Sequence, residues 1–596
     1  GAAPLAAEAA AGRTGSQAGA IRRVPLQDAC AQTLVSMRCR MTRAVPSPPS
    51  SRLCAALHSE RTDWHRVRKI ARRIMEPNYS LKQYFEDLSS FPELNLYLMD
   101  ASDGVTHTAS SSGRSIGDEY QRTVGAFFAI YWLFRLGIDG KDGFSFGVDE
   151  NWKPLSQKAV MEDAALDPLA KKRLAFRHDA NWEYFQGLLM DAGLIREDNK
   201  GCMGRPGGAC HGLKVCEKRF VSLLALTAVH DIMKMSSLIP EVQEQHAPYH
   251  GYNEWDQIGD HDHALSYIMD HYPNILPSFR ELDPEEQRAL QFTQCKFCFN
   301  HGWFVQGEAP PGAIFTPFRE ALVRDHKSQI GMEDVALYFV HWLTDLAGAE
   351  PTPLAGCEKF SVKFPLPVLN SFLRSFAYVE KIADQKETEI NEEYLQARWM
   401  ESGPEVAGKL GQQPPTGPDA VARMRILCMA QSAAPLTLER WPFVPDEDRE
   451  VLSTEMSRTG CLGQSYAPEL VPAEVHDQPM GPAFLVYYGP AFLQHLRDGE
   501  CPSRRLRLLA EVYRCARELW PAQVSKVAAN VTVRIDMIKA LTCQEIINAT
   551  QDGNIWIMVK HNEVEAFIEL ASRRKLNKMI SSMQRIQIVD MTCLAL

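Results

Sequence analysis

The segment FVSLLALTAVHDIMKM constrains this chain more than any other. Residues 220–229 are apolar nearly all round, so the spacing predicts a helix buried on every side rather than an amphipathic surface helix. The helix runs directly into His230-Asp231, with Lys234 one turn further on. An imidazole and a carboxylate at the dry end of a central helix are costly to bury unless they are paired or bound to metal. Neutral imidazole with carboxylate is a suitable ligand set for Fe, Mn or Zn. A second segment, MEDVALYFVHWLTDLAGAE, repeats the pattern. It is apolar nearly all round from Val335 to Leu343 and ends at Asp345, with His341 one turn earlier on the same side.

These segments resemble the HD superfamily of metal-dependent phosphohydrolases, whose ligands are a first His, a later His-Asp pair and a final Asp, all on helices. HDIMK is similar to the HD-x-x-K version found in two-metal members, which include the HD-GYP phosphodiesterases and myo-inositol oxygenase. The family's usual Gly before Lys is Met233 here, a departure. The resemblance covers roughly residues 160–350 and neither end of the chain. It implies that His230, Asp231 and Asp345 are metal ligands. In two-metal members a further His opens a helix, which favours His261 in IGDHDHALSYIM because it is similar to the oxygenase's GHDEY segment. His263 is two residues on and faces another side, so the two cannot bind equally. His301, read as ending the apolar stretch LQFTQCKFCFNHGWFVQGE, matches the further His of such members; a simple helix cap is the plain alternative.

The first His has two candidates. His211 opens HGLKVCEKRF, but no turn residue separates Leu213 from Val229. On one continuous helix it would lie about 28 Å from His230 at 1.5 Å per residue. His178 avoids this and opens HDANWEYFQGLLMDAGL, with 195–212 as a returning loop, so His178 is preferred. Among cations, Lys234 is the strongest phosphate-binding candidate, ahead of Arg319, Lys327 and Lys296. Cys295 and Cys298 form a CxxC without a second knuckle, and Cys202, Cys210, His211 and Cys216 cluster in the loop. Structural zinc needs four ligands, so buried thiols are the simpler reading.

Composition limits the rest. Sixty-four Lys and Arg against 74 Asp and Glu leave a net charge of -10, which argues against general nucleic-acid binding but not against a small anion in a local basic pocket. Fifteen scattered cysteines fit a reducing, intracellular setting. The most apolar stretch, VGAFFAIYWLF, is too short to span a bilayer and reads as a buried helix. Residues 1–60 are rich in Ala, Ser and Arg with few acids, the composition of a plastid or mitochondrial transit peptide or of a disordered tail.

The expected fold is all-α: an HD-domain-like helical bundle with additional N- and C-terminal helical regions. Its divisions are a tail at 1–60, a helical region at 61–150, the metal-binding domain at 151–350, a linker with one helix at 351–420, and a helical domain at 421–596. Short strands are expected only near Phe360–Leu366 and Gly553–Lys560. The resemblance implies a phosphohydrolase for a phosphate mono- or diester, a nucleotide among the candidates. It would use one or two divalent ions (Fe, Mn, Zn or Mg), with Asp231, Lys234 and Asp345 as catalytic residues. A diiron oxygenase that would use Trp303, Phe304 and Trp342 as a dry wall, and a non-catalytic scaffold, are the alternatives.

Overall fold

The structure is a computed structural model. It describes residues 51–98, 114–163, 167–198, 212–294, 300–324, 330–350, 352–471, 482–494, 500–522 and 530–535, strands at 555–561, 565–572 and 586–589, and residues 496, 538, 541 and 545 singly. Chain contacts divide it into two units, Gly1–Phe297 with His326–Phe376, and Cys298–Asp325 with Ala377–Leu596. Residues 61–297 all fall in the first unit.

The helices used below are, in chain order, α1 (Trp64–Arg73), α2 (Leu81–Leu88), α3 (Ile116–Leu133), α4 (Pro168–Asp179), α5 (Trp182–Asp191), α6 (Glu217–Val229) and α7 (His261–His271). They continue with α8 (Pro284–Gln294), α9 (His301–Val305), α10 (Met332–Ala347), α11 (Glu387–Met400), α12 (Ala420–Ala430), α13 (Asp446–Met456) and α14 (Pro502–Leu519).

In the first unit α6 is the central helix, packed by α1, α3, α8 and α10. Phe220 through Val229 are all buried, as its uniform apolarity requires. Its two hydroxyls are satisfied within the helix, Ser222 Oγ donating to Lys218 O and Thr227 Oγ1 to Leu223 O. Two contacts set its alignment with α10. Arg219 pairs with Asp334 at 2.6 Å, and eleven residues later on both helices His230 meets Asp345. Equal spacing on both partners means that the helices run side by side in the same direction, so their polar C-terminal ends coincide.

Helix α3 crosses the end of α10 at two glycines. A Cβ on Gly125 would lie 2.6 Å from Gly348 O, and one on Gly348 would lie 2.2 Å from Ala126 N. Only side-chain-free residues allow backbones this close. The start of α3 is set by a capping box between Ser115 and Asp118. A small antiparallel pair, β1 (Ile195–Asp198) and β2 (Gly212–Val215), leads into α6.

The second unit is built on α12, whose residues are nearly all buried and which packs on α11 and α13. It also holds a five-stranded sheet in the order β3-β4-β6-β5-β7: β3 (Ala483–Tyr487), β4 (Asn530–Arg534), β5 (Ile555–His561), β6 (Glu565–Ser572) and β7 (Ile586–Val589). Strand β4 is parallel to both β3 and β6, and β5 is antiparallel to β6 and β7. Helix α14 carries the chain from β3 to β4.

The described chain is mostly helical, in line with the expectation. The helical reading of 421–596 is corrected by this sheet, because short apolar runs are ambiguous between helix and strand until a partner pairs with them. The strand expected near Gly553–Lys560 is β5, whereas the one near Phe360–Leu366 is a π-helical turn over Lys359–Lys363. No helix among the described residues is long and apolar enough to cross a membrane.

Candidate metal centre

His230 caps the end of α6, and Asp231 (φ -105, ψ 0) turns the chain into a 3-10 turn over Ile232–Lys234. The turn folds Lys234 back, so that its Nζ reaches Asp231 Oδ1 at 2.6 Å and Glu119 Oε2 at 3.5 Å. From α10, Asp345 brings Oδ1 to 3.3 Å from His230 Nε2; Asp231 Oδ2 lies 3.5 Å from the same nitrogen. The three ligand atoms of His230, Asp231 and Asp345 lie within 4.8 Å of one another. Ligands about 2.0–2.2 Å from one ion sit roughly 3–3.6 Å apart, and the two distances from His230 Nε2 fall in that range.

The hydrogen bonding also fits a metal. His230 Nδ1–H donates to Thr227 O at 2.8 Å, which leaves Nε2 facing the two carboxylates. Asp231 Oδ2 is buried and has no hydrogen-bond partner. Asp231 is 2% exposed and His230 5%, whereas Asp345 keeps 31% exposure, so the centre opens to solvent on the Asp345 side.

Charge balance shapes the titration of the group. Burial alone would lower the His230 pKa, but Asp231 and Asp345 outweigh it and raise it. Burial opposes ionisation of Asp345, yet the hydrogen bond and charge of His230 hold it well below the usual carboxylate range. Asp231 is likewise lowered against the effect of its burial, by His230 and Lys234. Lys234 stays charged because Asp231 and Asp345 overcome its desolvation. His341 stacks edge-on to His230 with ring centroids 4.9 Å apart. Burial, reinforced by His230, lowers it to about 3, so it is neutral.

Sequence reasoning missed Glu119 and Arg122 on α3. Glu119 is fully buried and Arg122 Nη1 approaches it to 3.7 Å. The charges of Asp345 and Asp231 raise the Arg122 pKa against its partial burial. The polar start of α3 reads as a solvated first turn, and only the Gly125–Gly348 crossing brings it to the centre.

The other expected ligands divide. His261 opens α7 and stands beside the centre, with Nε2 4.0 Å from Asp231 Oδ1. It also forms a second compact group with Asp260 and Asp262. There Asp260 caps α7, and Asp262 accepts from Gln294 Nε2 at 2.8 Å. His263 turns away, its ring stacked on His250 at 4.6 Å. His178 is corrected: it lies in the last turn of α4, 86% exposed and paired with its neighbour Asp179, because that face of α4 points to solvent.

His301 opens α9 instead of ending a helix, and it belongs to the second unit. Arg319 pairs with Glu387 within that unit. Trp303 and Phe304 are in the second unit, while Trp342 stacks on Phe372 in the first, so they form no common wall within either unit. His211, Lys296, Lys327, Cys202, Cys210, Cys295 and Cys298 lie outside the described residues; Cys216 is a free thiol.

Searches against family models, curated proteins and solved structures find no match to this chain.

Proposed function

We propose that the chain is a metal-dependent phosphohydrolase acting on a phosphate mono- or diester, with a nucleotide as one candidate substrate. The observation that carries this reading is the convergence of His230 Nε2, a buried Asp231 oxygen without a hydrogen-bond donor, and Asp345, with two cations alongside. His230, Asp231 and Asp345 would hold a divalent ion, and the chemistry it would supply there is a bound water of lowered pKa and a polarised phosphoryl oxygen. His261 is the nearest further imidazole to that ligand set.

The residues divide the remaining work. Thr227 O orients His230 through its Nδ1–H, so that the ring presents Nε2. Lys234 neutralises Asp231 and Glu119 and keeps the acids together in a buried place. Arg122, at the edge of the group, offsets the negative charge that grows on the phosphoryl oxygens. Asp345, the most exposed of the three ligands, stands on the side from which a water would enter.

The test uses the full chain with Mn²⁺ under anaerobic conditions, a general phosphodiester and a panel of nucleotides as substrates, and elemental analysis of bound metal. Hydrolysis without oxygen, lost together with metal in Asp231→Asn and Asp345→Asn, supports the proposal. No hydrolysis with any divalent metal, together with oxygen consumption by iron-loaded protein, overturns it in favour of the oxygenase.

A further inference from the structure

The carboxyl ends of the parallel strands β3 and β4 carry a second polar group, wholly within the second unit. Tyr487 ends β3 and pairs in register with Arg534 at the end of β4. The next residue, Tyr488, has φ +74, a left-handed conformation that side-chain-bearing residues rarely adopt. Its consequence is visible in the rings. Consecutive strand residues normally point to opposite faces, yet the Tyr487 and Tyr488 rings lie 4.1 Å apart at 33°. The Arg534 guanidinium sits 5.2 Å from one ring and 5.9 Å from the other. Such strain persists where the surroundings impose it, and it clusters at binding and catalytic sites.

Two more groups face this edge. Glu308 is buried and accepts the Tyr488 backbone N–H at 2.7 Å through Oε1. Burial pushes its carboxyl up to about 8, so it holds its proton at neutral pH. Trp303 packs edge-on to Tyr487 with centroids 6.0 Å apart, and its Nε1–H is buried without an acceptor among the described residues. The group is thus rich in donors: a guanidinium, two phenols, an indole N–H and a protonated carboxyl. Its flat faces are aromatic. In sheets with parallel strands, ligands bind beyond the carboxyl ends of the strands.

From this arrangement we infer that Trp303, Tyr487, Tyr488 and Arg534 form a binding site for a planar ligand bearing an oxyanion, a carboxylate or a phosphate, with the ring against the tyrosines and the anion on Arg534. All four residues belong to the second unit.

The experiment titrates the full-length chain with benzoate, adenosine monophosphate and adenosine, following tryptophan fluorescence and calorimetric heat. At least one of the two anions should bind saturably and change the fluorescence; which one binds separates carboxylate from phosphate. Adenosine, which lacks the anion, should not bind. Affinity should fall about tenfold in Arg534→Met and less in Arg534→Lys, and the fluorescence change should vanish in Trp303→Phe. The inference is overturned if neither anion binds the wild type, if adenosine binds as well as its monophosphate, or if both Arg534 variants bind like wild type.

Discussion

Replacing Gly125 by alanine tests the crossing on which the centre depends. The added Cβ would lie 2.6 Å from Gly348 O and 2.7 Å from Gly348 Cα, both backbone atoms that cannot rotate away. Ordinary contact begins near 3.4–3.5 Å, so α3 and the end of α10 must part by roughly 0.8 Å. Overpacking of this kind costs about 1–3 kcal/mol. Alanine recovers about 0.5–1 kcal/mol of helix propensity and backbone entropy. The net expectation is a loss of about 1–2 kcal/mol. Gly187→Ala is the matched control, because it also lies within a helix but a Cβ there meets nothing within 4 Å. That variant should gain about 0.5–1 kcal/mol. Urea unfolding with a shared slope reads both values from the midpoints. Should Gly125→Ala prove as stable as Gly187→Ala, the close crossing, and with it the placement of Glu119 and Arg122, would be refuted.

Removing His230 should abolish metal retention, whereas His178→Ala should leave metal content unchanged; elemental analysis of both decides between the buried and the exposed imidazole. Glu308 has a raised pKa, so the stability it contributes is full below about 4.5 and is lost as pH rises toward about 8. Between pH 6 and 9 the wild type should therefore lose roughly 3 kcal/mol more than Glu308→Gln at 1.36 kcal/mol per unit, and parallel pH profiles in equilibrium unfolding would contradict this. Arg425 is fully buried and donates to the carbonyls of Gly307, Glu308 and Met456 at 2.8, 2.6 and 2.9 Å. Arg425→Met leaves three buried acceptors unmet and should cost about 3–5 kcal/mol, read as a fall in the unfolding midpoint.

Where the signal was local, the residues alone were informative. His230, Asp231 and Asp345 drew notice because each follows a largely apolar run, buried on every side in α6 and partly so in α10, with polar groups gathered toward its end. Lys234 followed from its place one turn later. The failures share a different cause. A helix that is polar on one face can turn its terminal imidazole inward or outward, and the rotation of α4 sends His178 to solvent. Glu119 and Arg122 gain their positions from a glycine contact between segments more than 200 residues apart. In the second unit, IWIMVKH and EAFIELAS become strands through pairing with each other and with β4 and β7, which no local period reveals.

The residue order by itself determined which helices are buried and which polar groups must be paired at their ends, because burial of an all-apolar helix and the cost of an unpaired charge are properties of the segment. Only the tertiary structure decided which other groups meet those ends. Convergence depends on the shared direction of α6 and α10 and on the Gly125–Gly348 approach, and both arise from packing between distant parts of the chain.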